Sequence, residues 1–187
     1  MTQLFMVQPD LLSGLVRPAQ VGAAVAPHIR LATGQDAEPL AGLMRDAYQE
    51  DWDAARVRRE LLDADDVPAT WVIDDGTILA TASERYLPDR FPAAGYLHYV
   101  AARPDRAGQG LGSLITQQVL GQVVARGLTR CVLETDDFRI PALIVYLRLG
   151  FIPEYRSDAE RLAWSAVFPR LVGSRRMDIS EGMKGQK

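Results

Sequence analysis

Gly108, Gly110 and Gly112 recur at alternate positions in the run R-P-D-R-A-G-Q-G-L-G-S, residues 103–113, and the chemistry such a run offers is anion binding. Glycine reaches backbone angles closed to other residues and leaves no side chain between main-chain amides and whatever lies in the turn. Beyond it, Leu111, Leu114, Ile115, Val119 and Val123 fall three or four apart on one face, and Gly127 stands where a helix stops. The first turn of that helix has unpaired N–H groups and the positive end of the helix dipole. A phosphate or pyrophosphate seated there needs no additional cation. The element that must position the turn is a strand: Tyr96 to Ala102 is β-branched, aromatic or small, and Pro104 closes it near Arg103.

Spacing separates the kinds of glycine turn. A P-loop needs Lys and then Ser or Thr after its last glycine, whereas Gly112 is followed by Ser113 and Leu114, so that reading fails. The fingerprint G-x-G-x-x-G is nearly met by Gly108, Gly110 and Ser113, with Glu134 ending a later strand where a ribose ligand is expected. It would make the chain a Rossmann-type, NAD-dependent oxidoreductase. Against it, R-P-D-R-A intervenes between the strand and the first glycine, and little chain remains afterwards to complete a parallel sheet.

V-A-A-R-P-D-R-A-G-Q-G-L-G-S (100–113) resembles the acyl-CoA pyrophosphate motif of the GNAT acyltransferase superfamily, V-x-P-x-x-(R/Q)-x-x-G-x-(G/A), with a strand before and a helix after. Pro104, Gly110 and Gly112 match; Ala102 stands for the usual valine, and Ala107 for Arg or Gln, with Arg106 one position away. A second block agrees. R-C-V-L-E-T (130–135) reads as a buried strand, and I-P-A-L-I-V-Y-L-R-L-G-F (140–151) as a short helix with Pro141 in its first turn and Gly150 at its stop. It is similar to the family form N-x-x-A-x-x-x-Y-x-x-x-G-F, supplying Ala142, Tyr146, Gly150 and Phe151, with Arg139 in place of asparagine. With its flanks, the resemblance covers roughly residues 28 to 156.

The resemblance implies an α/β, GNAT-like fold with a mixed, mostly antiparallel central sheet flanked by helices, and acetyl-CoA as acyl donor without a metal. It places the pyrophosphate against Ala107, Gly108, Gln109, Gly110, Leu111, Gly112 and Ser113, and the pantetheine arm along the backbone of Val100, Ala101 and Ala102. The implied reaction is direct attack of a primary amine, on a small molecule or a peptide, at the thioester. A free alkyl amine of pKa ~10.4 is deprotonated about once in a thousand molecules at neutral pH, equivalent to about 4 to 5 kcal/mol, so a base or a water route must help. The leaving thiolate, of pKa ~8.5, gains from a hydroxyl that returns a proton.

Tyr146 occupies the family's tyrosine position and is the acid this implies, the plainer reading being a core tyrosine with one bonded hydroxyl. No carboxylate stands at Tyr96, where some family members carry a glutamate. His98, placed by strict alternation on the face of Tyr96, Val100 and Ala102, and Glu134 at the end of the next strand are the alternative bases, with water as a third. Asp136, Asp137 and Arg139 sit between strand and helix, and one aspartate, Asp137, is expected to cap the helix near Ile140. Tyr48, Glu50, Asp51, Trp52 and Asp53 suit an amine acceptor or a solvated loop equally. Trp71 and Trp164 read as core. The missing glutamate also leaves room for a catalytically silent acyl-CoA-binding sensor or partner-binding domain.

A formal charge of -3 over 187 residues with interspersed signs gives no basic stripe for duplex nucleic acid, and Arg175-Arg176 is too small a cluster to supply one. The single cysteine, Cys131, lies in an apolar run as a small core residue, which fits a reducing compartment. No basic leader or apolar run near the ~20 residues of a membrane span occurs, so a cytoplasmic location is expected.

One domain is expected over 28–171, with an extended N-terminal arm over 1–27 and a mobile tail over 172–187. Leu4, Phe5, Leu11, Leu12 and Leu15 of the arm could bury on the domain or on a second copy in a homodimer. His28 to Thr33 alternates as a strand, and Thr33 with Asp36 starts a helix carrying Leu40, Leu43, Met44 and Ala47 on one face. A second helix follows Asp53. Asp75-Gly76 between β-branched runs predicts a tight hairpin. After Phe151 one strand is expected, then a helix started by Ser157 and Glu160 and halted by Pro169, in place of the family's last strand.

Overall fold

The computed structural model describes residues 2–14 and 28–182; Leu15 and the remainder of the expected arm, and residues 183–187 of the expected tail, lie outside the described residues. The chain divides into two compact units, one of Gln8–Leu133 and one of Met1–Val7 with Glu134–Lys187.

In the larger unit, a short turn of helix α1 (Leu11–Gly14) and strand β2 (His28–Leu31) precede helices α2 (Ala37–Tyr48) and α3 (Ala54–Val57), the latter widening into a π turn over Arg58–Leu62. Strands β3 (Ala69–Asp74), β4 (Ile78–Arg85) and β5 (Ala94–Ala102) follow, then helix α4 (Leu111–Ala125) and the start of β6 (Arg130–Asp136). The strand order is β2-β3-β4-β5-β6. The pairs β2–β3, β3–β4 and β4–β5 are antiparallel and β5–β6 is parallel. A dinucleotide-binding fold needs a run of parallel strands around its glycine turn, so the oxidoreductase alternative falls.

Local chemistry accounts for these elements. The Asp36 carboxylate takes the Thr33 N–H at 2.7 Å, satisfying a donor at the start of the helical segment, and Arg30 grips the same carboxylate through both terminal nitrogens at 2.8 Å. The hairpin forms where expected but spans three residues, 75–77, with positive φ at Gly76 alone, 104°, and its N–H donates to Asp74 Oδ1 at 2.8 Å. On one sheet face Leu40, Met44, Trp52, Val57, Leu61, Val72 and Ala101 form a core. On the other, α4 buries Ile115, Val119 and Val123 completely, each worth about 1.5–3 kcal/mol.

The smaller unit holds β1 (Gln3–Gln8), the rest of β6, helix α5 (Ile140–Arg148), β7 (Ile152–Pro153) and helix α6 (Asp158–Gly182). The order is β6-β1-β7, with β1 and β7 antiparallel. Residues 3–8, expected to be an extended arm, are a strand: Leu4, Phe5, Met6 and Val7 are all buried, a continuous apolar run that hides both faces and therefore shows no alternation. Ser157 starts α6 as expected, its hydroxyl accepting the Glu160 N–H at 3.2 Å. Pro169 does not halt it. The buried stripe of Trp164, Val167 and Leu171 passes the proline, which lies on the exposed face, and packing holds the helix across the missing N–H. No described helix is long and apolar enough to cross a membrane.

Gly95, in β5, is where sheet and helix approach most closely: a Cβ there would lie 2.5 Å from Val123 Cγ2 and 2.9 Å from Cγ1. Gly95→Ala is expected to destabilise the fold by roughly 1–3 kcal/mol in urea unfolding, and Val123→Ala in the same chain to recover part of the loss. An unchanged midpoint in Gly95→Ala would show a looser contact.

Candidate active site

In the larger unit, β5 runs through a turn of 3-10 helix, Pro104–Arg106, into α4. Gly108 and Gly110 hold φ of 79° and 76°, angles that favour glycine. The first bond of α4 is Leu114 N–H to the Gly110 carbonyl at 3.0 Å. The amides of Gly108, Gly110, Leu111, Gly112 and Ser113 therefore meet no acceptor among the described residues, while those of Ala107 and Gln109 are spent on the carbonyls of Pro104 and Arg106. A Cβ at Gly108, Gly110 or Gly112 would meet nothing within 4 Å, so these glycines open onto free space. Arg103 is tied to Asp105 by two bonds of 2.9 Å, whereas Arg106 makes no side-chain hydrogen bond or ion pair among the described residues. Free amides, an unengaged arginine and a helix start are the donor set that a diphosphate requires.

The approach to this turn is irregular. Ser83 faces His98 but Thr81 faces Ala101, so β5 spends one more residue than β4 between the two pairs. Tyr99, within the bulge, has φ 44°. The bulge reverses the alternation expected along β5: His98 shares a face with Tyr96 and Ala101, and Ala102 lies on the other face, across from Ala80. Pairing of β5 with β6 covers only Ala94, Gly95 and Tyr96. The strand beyond has no ladder partner on that edge among the described pairs, and one of its carbonyls, that of Val100, accepts the Tyr48 hydroxyl at 2.9 Å.

On the face of α2 and α3, the Tyr99 ring meets those of Tyr48 and Trp52 edge to face, and Arg56 lies 3.8 Å over Trp52. The Tyr99 hydroxyl donates to Glu60 Oε2 at 3.0 Å. Burial opposes ionisation of Glu60, yet the bonds from Tyr99 and Arg56 outweigh it and hold its carboxyl below the usual range. Neither Tyr99 nor Glu60 was marked by sequence reasoning, since a bulge and a π turn leave no pattern in residue types. The acidic stretch before α3 is largely spoken for. Asp53 Oδ1 caps α3 through the Arg56 N–H at 2.7 Å, and Glu50 pairs with Arg56 at 3.1 Å.

His98 sits where burial, and next the charge of Arg85, push its imidazole down to about 4; its Nε2 is buried without a partner among the described residues. It is neutral at physiological pH but a poor match for the proton of an alkyl amine. Cys131 is fully buried and its thiol is pushed up to about 12 by desolvation, so it is a protonated core group and not a nucleophile.

In the smaller unit, Tyr146 lies on α5 with its ring against Phe151, centroids 5.9 Å apart. Burial raises its phenol well above the ordinary value, and no described residue bonds its hydroxyl, so it is a neutral group with a proton to give. Glu134 is paired to Arg156 at 3.0 Å, and Arg156 also holds Glu160 at 2.8 Å. A carboxylate so held is a structural anchor before it is a base. Asp137 does not cap α5. Its carboxylate accepts the Thr2 N–H at 3.1 Å, and its own N–H donates to the Thr2 carbonyl at 3.1 Å, tying the chain's start to the β6–α5 turn. Arg139 bonds Asp136 at 3.0 Å.

Comparison with known proteins agrees with this arrangement. The model of the Acetyltransferase (GNAT) family matches residues 37–151. The chain is 28% identical to a mycothiol acetyltransferase from Saccharomonospora viridis, over 66% of this chain and 45% of that protein. Its fold is similar to a GCN5-related N-acetyltransferase from Kribbella flavida, with TM-score 0.56, 22% identity, and coverage of 82% of this chain and 55% of that one. It is also similar to a ribosomal-protein-alanine N-acetyltransferase from Brucella melitensis, with TM-score 0.60, 17% identity, and coverage of 70% and 96%. The chain thus spans about half the length of the first two. With the strand, glycine turn and helix all inside the matched span, the chain belongs to the acetyltransferase (GNAT) family.

Proposed function

We propose that the chain is an acetyl-CoA-dependent N-acyltransferase of the cytoplasm that transfers an acetyl group to a primary amine, on a small molecule or a peptide, by direct attack. The observation that carries this reading is the set of free amides at Gly108, Gly110, Leu111, Gly112 and Ser113, opened by glycines whose missing side chains face empty space. Acetyl-CoA supplies the activated acyl group. Gly108, Gly110, Leu111, Gly112 and Ser113 would bind its diphosphate through N–H groups, with Arg106 as the nearest unengaged cation. Val100, Ala101 and Ala102 lie on the stretch of β5 whose edge has no ladder partner, where a pantetheine arm can take the place of a strand.

Tyr146 is the acid. Its phenol keeps the proton at neutral pH and can share it with a departing thiolate through a hydrogen bond, the burial that raises its pKa opposing full transfer. The base is not a titrating side chain: His98 is too weak, and Glu134 is engaged by Arg156. The amine is therefore expected to arrive as its free base or to lose its proton to water. These two groups also favour the second reading, a protein that binds acyl-CoA without turning it over. Thiol release from acetyl-CoA across a library of amines separates the two, since binding without release on any acceptor supports the silent domain.

Gly112→Leu should weaken acetyl-CoA binding at least tenfold by calorimetry with an unchanged thermal midpoint, because its side chain would fill the space before the amides; unchanged affinity would count against the site. Tyr146→Phe should lower kcat roughly 10²-fold while acetyl-CoA affinity persists. In pH–rate profiles His98 should leave no inflection near 6.5, since its imidazole is already neutral above about 4. An inflection there that His98→Asn removes would reinstate it as base.

A further inference from the structure

Two backbone irregularities on separate elements converge on one hydrogen bond. In β5 the extra residue sets Tyr99 at φ 44°, which a bulky side chain holds only where its surroundings fix it. After α3 the helix widens, closed by the Asp63 N–H on the Arg58 carbonyl at 2.7 Å, and such π turns occur often at functional sites. Their joint product is the bond of 3.0 Å between the Tyr99 hydroxyl and Glu60 Oε2. The rings of Tyr48 and Trp52 stand at 87° and 90° to Tyr99, at 5.6 and 5.0 Å, and fix its plane.

The direction of that bond is set by its neighbours. Glu60 Oε1 receives Arg56 Nε at 3.0 Å and Arg59 Nη2 at 3.2 Å, so the group is a carboxylate, which only accepts, and the phenol must donate. The Arg56 guanidinium also donates toward the phenol oxygen, so a tyrosine whose one proton is committed keeps a single lone pair for a further partner. Tyr146 is the reverse case, with its proton uncommitted among the described residues. We propose that the Tyr99 oxygen accepts a hydrogen bond from the N–H of the incoming amine and positions it for attack, with Glu60 fixing the polarity of the phenol. This rests on the transferase reading above. Tyr99 touches the acceptor; Glu60 is a positioning residue.

The test uses thiol release from acetyl-CoA with benzylamine, tyramine, L-alaninamide and a peptide bearing a free α-amine. On the amine turned over best, Tyr99→Phe and Glu60→Gln should each lower kcat/KM about 10- to 100-fold, the range expected for one lost or reversed hydrogen bond. The amide that Glu60→Gln introduces can donate to the phenol oxygen and so reverse the bond. The double variant should lose no more than either single one, because both remove the same contact. Acetyl-CoA affinity and the unfolding midpoint should hold; a merely structural pair would lower both together. Wild-type kcat/KM in Glu60→Gln, or additive losses, would overturn the role of Tyr99 alone. Bound acetyl-CoA with no release on any of the amines would overturn the transferase reading and this role with it.

Discussion

Main-chain N–H and C=O groups must find partners, and among the described residues β5 with the turn after it leaves a run of them unpaired. The ladder to β6 stops at Tyr96, and the amides of Gly108, Gly110, Leu111, Gly112 and Ser113 find no carbonyl among the described residues. The elements around that stretch are packed. Antiparallel strands hold β5 on its other edge, α4 lies fully packed over one face, and α2 and α3 cover the opposite face with a continuous apolar cluster. A rigid surround lets an unsatisfied backbone persist as a binding surface without collapsing onto itself.

The charged residues obey the same logic. Arg30 is clamped between Asp36 and Asp74, Glu84 is buried against Arg126, and Arg156 joins Glu134 to Glu160. Arg30 holds the Asp36 carboxyl down to about 2, whereas burial raises that of Glu84 against the pull of Arg126. With so many acids committed to arginines, the tyrosines Tyr99 and Tyr146 stand out as neutral groups that keep a proton. Their ionisation is held off by burial first, in both Tyr99 and Tyr146. Neutral hydroxyls are distinguished by where their single proton points, and hydrogen-bond direction thereby takes over the work that charge does elsewhere.

Much of this was legible in residue order. The glycine run before an amphipathic stretch, Asp75-Gly76 between β-branched runs, Thr33 ahead of Asp36, and Ser157 ahead of Glu160 each name a local geometry that the fold adopts. The helix over 140–148 was bounded by Pro141 and Gly150, and Tyr146 was picked out on it by the family resemblance. What stayed hidden depends on contacts between distant residues. Whether β5 bulges is decided by its pairing with β4, so simple alternation kept His98 with Tyr96 correctly but put Ala102 on their face wrongly. Residues 3–8 look structureless because a strand buried on both sides has no polar face to betray its period. Pro169 reads as a stop only until Leu171 is seen to continue the packed stripe beyond it.

The lone sulfhydryl of the chain, Cys131, has a practical bearing. Enclosed in β6 and protonated across the whole working range, it is out of reach of chromogenic disulfides and of air oxidation alike. A thiol-detecting dye added to the folded protein therefore draws no background colour from Cys131.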